Sequence, residues 1–185
     1  MNELPHSRCN FIASDSLICV GASPIHETFQ NILNWNPSLI INLEDIESWY
    51  YPHLPQNIKY ITLPIKNGDI PSIDSILPLM EEMNEFYRNQ RKIYIHCAGG
   101  HGRAGLIATL FIGYMSGMDT YEAISYIESW RNTRLDTSRN FVPTPETNKQ
   151  VQFIHHFLKL KPGHTLPDRS DRSWLTRVRN ERRKR

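Results

Sequence analysis

Four short apolar runs divide the first hundred residues: LICVGA (17–22), SLIINL (38–43), IKYITLPI (58–65) and KIYIHC (92–97). Runs of this length, rich in Ile, Leu and Val, predict strands buried on both faces. Helical spacing of apolar residues fills the gaps. SPIHETFQNILNW predicts a helix with Ser23 as N-cap and Pro24 at its first position. Further helices are predicted over 73–89, 102–116, 119–131 and 145–160, with Asp119 capping the third of these and Thr144, ahead of Pro145, the fourth. Pro78 conflicts with a helix from Ile73, which must kink or start near Leu77. EDIESWYYPHLPQN reads as irregular.

Strands alternating with helices predict βα units. The fold class is therefore α/β, with a mostly parallel central sheet of four to five strands flanked by helices on both faces. Ligands of such sheets bind outside the carboxyl ends of strands. The fourth strand ends in such a place, in the glycine-rich stretch YIHCAGGHGRAG.

The bulk numbers narrow the picture. A chain of 185 residues, 39% hydrophobic and 22% charged, fits one globular domain. No apolar run has the length of a membrane span, and MNELPHSRCN lacks the basic start and hydrophobic stretch of a signal peptide, so the expected location is intracellular, cytoplasmic or nuclear. Cys9, Cys19 and Cys97 cannot pair completely and lack metal-ligand spacing, so reduced thiols, no metal and no cofactor are expected.

Charge is unevenly placed. Residues 161–185 carry nine Lys and Arg against three acids, a net of +6, while the other 160 residues carry a net of −4. One folded domain over 1–161 and a basic, flexible C-terminal tail over 162–185 are the expected organisation. Such a tail suits contact with nucleic acid, anionic lipid or an acidic protein. The sequence is silent on oligomeric state.

In the loop after the fourth strand, glycines permit a sharp turn with N–H groups pointing inward. The following helix adds donors and a partial positive charge at its N-terminus. The backbone of Ala98, Gly99, Gly100, His101, Gly102 and Arg103 is thus expected to cradle a phosphate, with the Arg103 fork gripping two of its oxygens. The same electropositive setting favours a Cys97 thiolate, a nucleophile aimed at phosphorus.

The pattern His96-Cys97-x-x-Gly100-x-x-Arg103 resembles the signature loop of the cysteine-dependent protein tyrosine phosphatases. The short chain is similar to their compact dual-specificity branch, and Gly99-Gly100 with LPIKNGDIP resembles kinase-associated phosphatase relatives. The resemblance implies attack to give a cysteinyl-phosphate, hydrolysis by water, and His96 as support for the loop and the thiolate. It implies a phosphoprotein substrate, carrying phosphotyrosine, phosphoserine or phosphothreonine.

Two positions depart from the family pattern. The general acid is an Asp four residues ahead of a proline, a place held here by the amide of Asn67, with Asp69 two residues on as the substitute and Asp74 as a weaker one. The hydroxyl residue that usually follows the arginine is Ala104. Together they keep open a phosphate-binding pseudophosphatase with little turnover. The basic tail keeps open a phosphoinositide or RNA 5′-phosphatase. His101 is expected at the cleft mouth facing solvent, Gln150 and Gln152 on a solvated helix face, and Cys19 in the core.

Overall fold

The computed structural model describes residues 3–46, 48–138 and 142–160. The basic segment 162–185 assigned as a tail lies outside the described residues. Five strands, β1 (Cys9–Phe11), β2 (Ile18–Ala22), β3 (Leu39–Asn42), β4 (Lys59–Thr62) and β5 (Ile93–Cys97), form one sheet in the order β1-β2-β5-β3-β4. Only the β1–β2 pair is antiparallel. β5 therefore occupies the centre, with Ala22 opposite Cys97 on one side and Asn42 opposite His96 on the other. The three-residue β1 is too short to leave a strand pattern in the sequence.

Side-chain alternation sorts the strands onto two cores. Ile18, Val20, Leu39, Ile41, Ile93 and Ile95 point to one face, which α2 (Ile73–Arg88), α3 (Gly102–Ser116), α4 (Thr120–Arg131) and α5 (Asn148–Leu160) cover. Cys19, Ile40 and Tyr94 point to the other, which α1 (His26–Asn34) closes with Ile32 and Trp35. α3 is apolar all round because it is the inner helix; from Gly102 to Met115 every residue is buried. Among the described residues, no helix is long and apolar enough to cross a membrane.

Two helix starts differ from expectation, those of α1 and α5. α1 begins at His26, not at Pro24, and Ser23 is not its cap; the Ile25 N–H donates instead to Thr28 Oγ1 at 3.1 Å. α2 does start at Ile73, capped by the Ser72 hydroxyl, and runs through Pro78. Proline removes one bond there, while the buried stripe Ile76, Leu79, Met80, Met83 and Phe86 holds the helix together. α5 begins at Asn148 rather than Pro145, because the Thr144 hydroxyl donates to the His101 carbonyl instead of capping a helix. The Asp119 cap of α4 is as expected, accepting from the N–H groups of Tyr121 and Glu122. A short 3-10 turn, Tyr51–His53, interrupts the irregular segment.

Candidate functional site

Cys97 ends the central strand, and α3 starts five residues later, so the intervening loop closes over the sulfur. Gly100 N–H points at Cys97 Sγ from 3.3 Å. Gly100 adopts φ +73, and a Cβ there would stand 2.3 Å from the carbonyl carbon of Gly21 and 2.7 Å from the Ala22 nitrogen. Both the turn and the approach to the end of β2 demand glycine. Cys97 is buried, with only 3% of its surface exposed.

Arg103 lies in the first turn of α3. Its side chain folds back beneath the loop, and Nη1 donates to the carbonyls of Ile65 at 3.0 Å and Leu43 at 3.4 Å. Those carbonyls end the β4 and β3 connections, so the sheet itself orients the guanidinium. Nε is buried and has no acceptor among the described residues. A buried cationic donor of this kind is a costly feature unless an anion completes it.

A second guanidinium braces the loop from behind. Arg134, which follows α4, is 4% exposed. Its Nη2 donates to Gly100 O at 2.6 Å and Val20 O at 3.4 Å, and Nη1 donates to Gly99 O at 3.4 Å. Nε donates to Asn10 Oδ1 at 2.8 Å. Arg134 thus holds the carbonyls of Gly99 and Gly100, while the Gly100 N–H points at Cys97 Sγ. His101 also packs here, Nε2 3.3 Å from Arg134 Nη1, and is 7% exposed. The expectation of a solvent-facing His101 is corrected: the ring is drawn inward by Arg134. Nothing near Arg134 in sequence signals this role, since its partners are up to 124 residues away.

His96 is fully buried, and burial, with Arg103 and His6 adding repulsion, pushes its pKa down to about 3. The ring is therefore neutral at pH 7. Burial also pushes the Tyr50 pKa well up, so its hydroxyl keeps its proton, and it is hydrogen-bonded to His96 Nε2 at 2.5 Å. His96 Nδ1 stands 3.8 Å from Glu44 Oε1. The distance is too long for a hydrogen bond, and a neutral ring makes no ion pair. His96 is thus a buried, uncharged ring next to Cys97 in sequence, and its carbonyl accepts from Leu43 N–H at 3.0 Å.

The turn expected to supply the acid is bound to the start of α5. Asp69 pairs with Lys149 at 2.5 Å and accepts the Ile70 N–H at 2.8 Å, and these two partners hold its carboxyl below the usual carboxylate range. Asn67 is exposed. Gln150, expected on a solvated face, is fully buried instead. Its Oε1 accepts from Glu146 N and Thr147 N, and its Nε2 donates to Asp69 O at 3.1 Å. The glutamine is inward because it satisfies three main-chain groups that would otherwise be stranded. Thr147 adds a hydroxyl bond to Gly68 O at 3.1 Å. Ala104 is buried in the helix below the loop, and Cys19 lies on the opposite face of the sheet from Cys97, in the core with Cys9. Among the described residues, no group of three or more His, Cys, Asp or Glu is placed to hold a metal ion.

Residues 7–156 match the family model described as a Swiss Army Knife protein, DSP-PTPase phosphatase domain. Cyclin-dependent kinase inhibitor 3 of Homo sapiens is 35% identical over 101 residues, covering 55% of this chain and 44% of that protein. Protein 197R of Invertebrate iridescent virus 6, whose name marks its tyrosine phosphatase assignment as provisional, is 32% identical over 175 residues, 84% of this chain and 59% of its own length. The chain thus spans about half the length of these relatives. Among solved structures, Tk-PTP in its active form superimposes with a TM-score of 0.64 at 18% identity, covering 82% of this chain and 97% of that one. Kinase associated phosphatase with its catalytic-site cysteine replaced by serine gives 0.62 at 20% identity, covering 85% and 96%. At these identities the two structures speak for the fold.

Proposed function

The chain belongs to the PTP-SAK family of DSP-type protein tyrosine phosphatases, and we propose that it hydrolyses phosphomonoesters on phosphoproteins through a cysteinyl-phosphate. Cys97 is the nucleophile. The main-chain N–H groups of residues 98–103 and the Arg103 fork hold the three non-bridging oxygens, and His96 supports the loop as a neutral group. The observation that supports the reading is the Gly100 N–H aimed at Cys97 Sγ from 3.3 Å, in a loop that leads into Arg103, whose buried Nε has no acceptor among the described residues.

Charge accounts for both chemical steps. As the thiolate attacks phosphorus, negative charge spreads over the equatorial oxygens, which the amides and Arg103 face without reorganising. The ester oxygen leaves with a proton, and water then attacks phosphorus, returning the thiolate and inorganic phosphate.

Hydrolysis of p-nitrophenyl phosphate and of tyrosine- and serine-phosphorylated peptides tests the proposal. Wild-type protein is expected to turn over, and Cys97→Ser to abolish turnover while still binding phosphate. A folded wild-type protein that binds phosphopeptide and releases no phosphate would make the site a phosphate receptor rather than an enzyme. Asn67 and Ala104 are the residues that favour that second outcome.

A further inference from the structure

The proposed reaction needs a proton donor for the leaving oxygen. An amide side chain such as Asn67 has none to give. Asp69 carries its charge against Lys149, and a donor must instead hold a proton when the bond breaks.

Another carboxylate reaches the same rim. Glu146 lies on the loop before α5, and that loop is tied on two sides. Thr144 Oγ1 donates to the His101 carbonyl of the phosphate loop at 2.9 Å. Thr147 Oγ1 and Gln150 Nε2 donate to the carbonyls of Gly68 and Asp69, the residues next to Asn67. Glu146 is therefore held between the cradle and the turn from which the resemblance expects a proton to come.

Gly102 records how close the approach is. A Cβ on Gly102 would stand 2.5 Å from Glu146 Oε2 and 3.0 Å from Glu146 Cβ. Gly102 has no positive φ that would explain glycine at the start of a helix. What its missing side chain makes room for is the Glu146 carboxylate, beside the residue preceding Arg103.

We propose that Glu146 is the catalytic acid and base of the reaction, an inference that rests on the phosphatase reading above. In the first step Cys97 Sγ bonds to phosphorus, the phosphorus–ester oxygen bond breaks, and the Glu146 carboxyl gives its proton to that oxygen. In the second, the Glu146 carboxylate takes a proton from water, the water oxygen bonds to phosphorus, and the sulfur–phosphorus bond breaks. Inorganic phosphate, the thiolate and the protonated Glu146 result, so the cycle closes.

The test is kcat/KM of wild type, Glu146→Gln, Asp69→Asn and Cys97→Ser on aryl phosphates of graded leaving-group pKa. Glu146 is exposed and Gln is isosteric, so the variant is expected to melt like wild type. For phenyl phosphate, whose leaving group needs a proton, Glu146→Gln is expected to lose about 10²-fold or more. For 2,4-dinitrophenyl phosphate, whose leaving group does not, the loss is expected to stay below about tenfold. Asp69→Asn is expected to change both substrates equally and little. An active wild type with an unaffected Glu146→Gln, a loss equal across the series, or a leaving-group-dependent loss in Asp69→Asn overturns this inference alone. Absence of turnover in the wild type, or full turnover in Cys97→Ser, overturns the phosphatase reading and this inference with it.

Discussion

Arg134 Nη2 donates to the carbonyl oxygen of Gly100 at 2.6 Å, joining the end of α4 to the apex of the phosphate loop. One buried guanidinium thereby serves Val20, Gly99, Gly100 and Asn10 together. Lysine has the charge but not the fork. In Arg134→Lys some of these buried acceptors lose their donor, at about 1–3 kcal/mol for each group left unsatisfied. The variant is expected to unfold at lower urea concentration and to bind inorganic phosphate more weakly, because the loop amides lose their backing. Unchanged stability and phosphate affinity would show that the brace is not needed.

Gly100→Ala attacks the same loop from the other side. The left-handed backbone strains any side chain, costing about 1–3 kcal/mol. The added Cβ would also stand 2.5 Å from the Gly21 carbonyl oxygen, which is main chain and cannot swing away. The loop must move off the sulfur. Turnover of p-nitrophenyl phosphate is expected to fall by at least about 10²-fold, since roughly 1 Å of misplacement costs that much. Near-wild-type turnover in a folded Gly100→Ala protein would mean that the loop has a second productive shape.

The loop from Cys97 to Arg103 was legible in sequence because every feature in it is local: strand, glycines, helix start and arginine lie within a dozen residues. The strands at 38–43 and 92–97 were legible for the same reason, being apolar runs bounded by polar residues. What stayed hidden depends on contacts between distant segments. Arg134 looks like any arginine after a helix until Asn10 and Val20 are brought beside it. Gln150 has polar neighbours in sequence that point to a solvated helix face, yet it is buried against the main chain of the Asp69 turn. Asp69 showed the right residue type near the right proline. Its partner Lys149 is 80 residues away, so the charge that holds it ionised has no local trace.

Gln150 yields a prediction of its own. Its side chain links the main chain of Glu146 and Thr147 to that of Asp69. Gln150→Ala leaves two N–H groups and a carbonyl without it, and Gln150→Glu keeps the acceptor but loses the donor to Asp69. Both are expected to lower kcat, with alanine the worse, and alanine to lower the melting temperature. A loss confined to KM would instead assign Gln150 to substrate binding rather than to positioning the two loops.

The neutral His96 sets the last expectation, a dependence of stability on pH. Its pKa is about 3 in the folded chain, against 6.5 for the ordinary side chain. His6, lowered by burial and by Arg134 and Arg8 to about 4, acts in the same direction. Between these values and 6.5 the unfolded chain binds more protons than the folded one, so unfolding free energy rises with pH. The stability is fully present above pH 6.5 and is lost progressively as pH falls towards 3. For His96 the whole effect is on the order of 5 kcal/mol at most. Glutamine at this position keeps an acceptor for the Tyr50 hydroxyl and does not titrate. Urea denaturation at a series of pH values from 7 to 4 is therefore expected to show a steeper loss in wild type than in His96→Gln. Parallel curves would mean that the folded protein accommodates a charged His96, and with it a second positive charge beside Arg103.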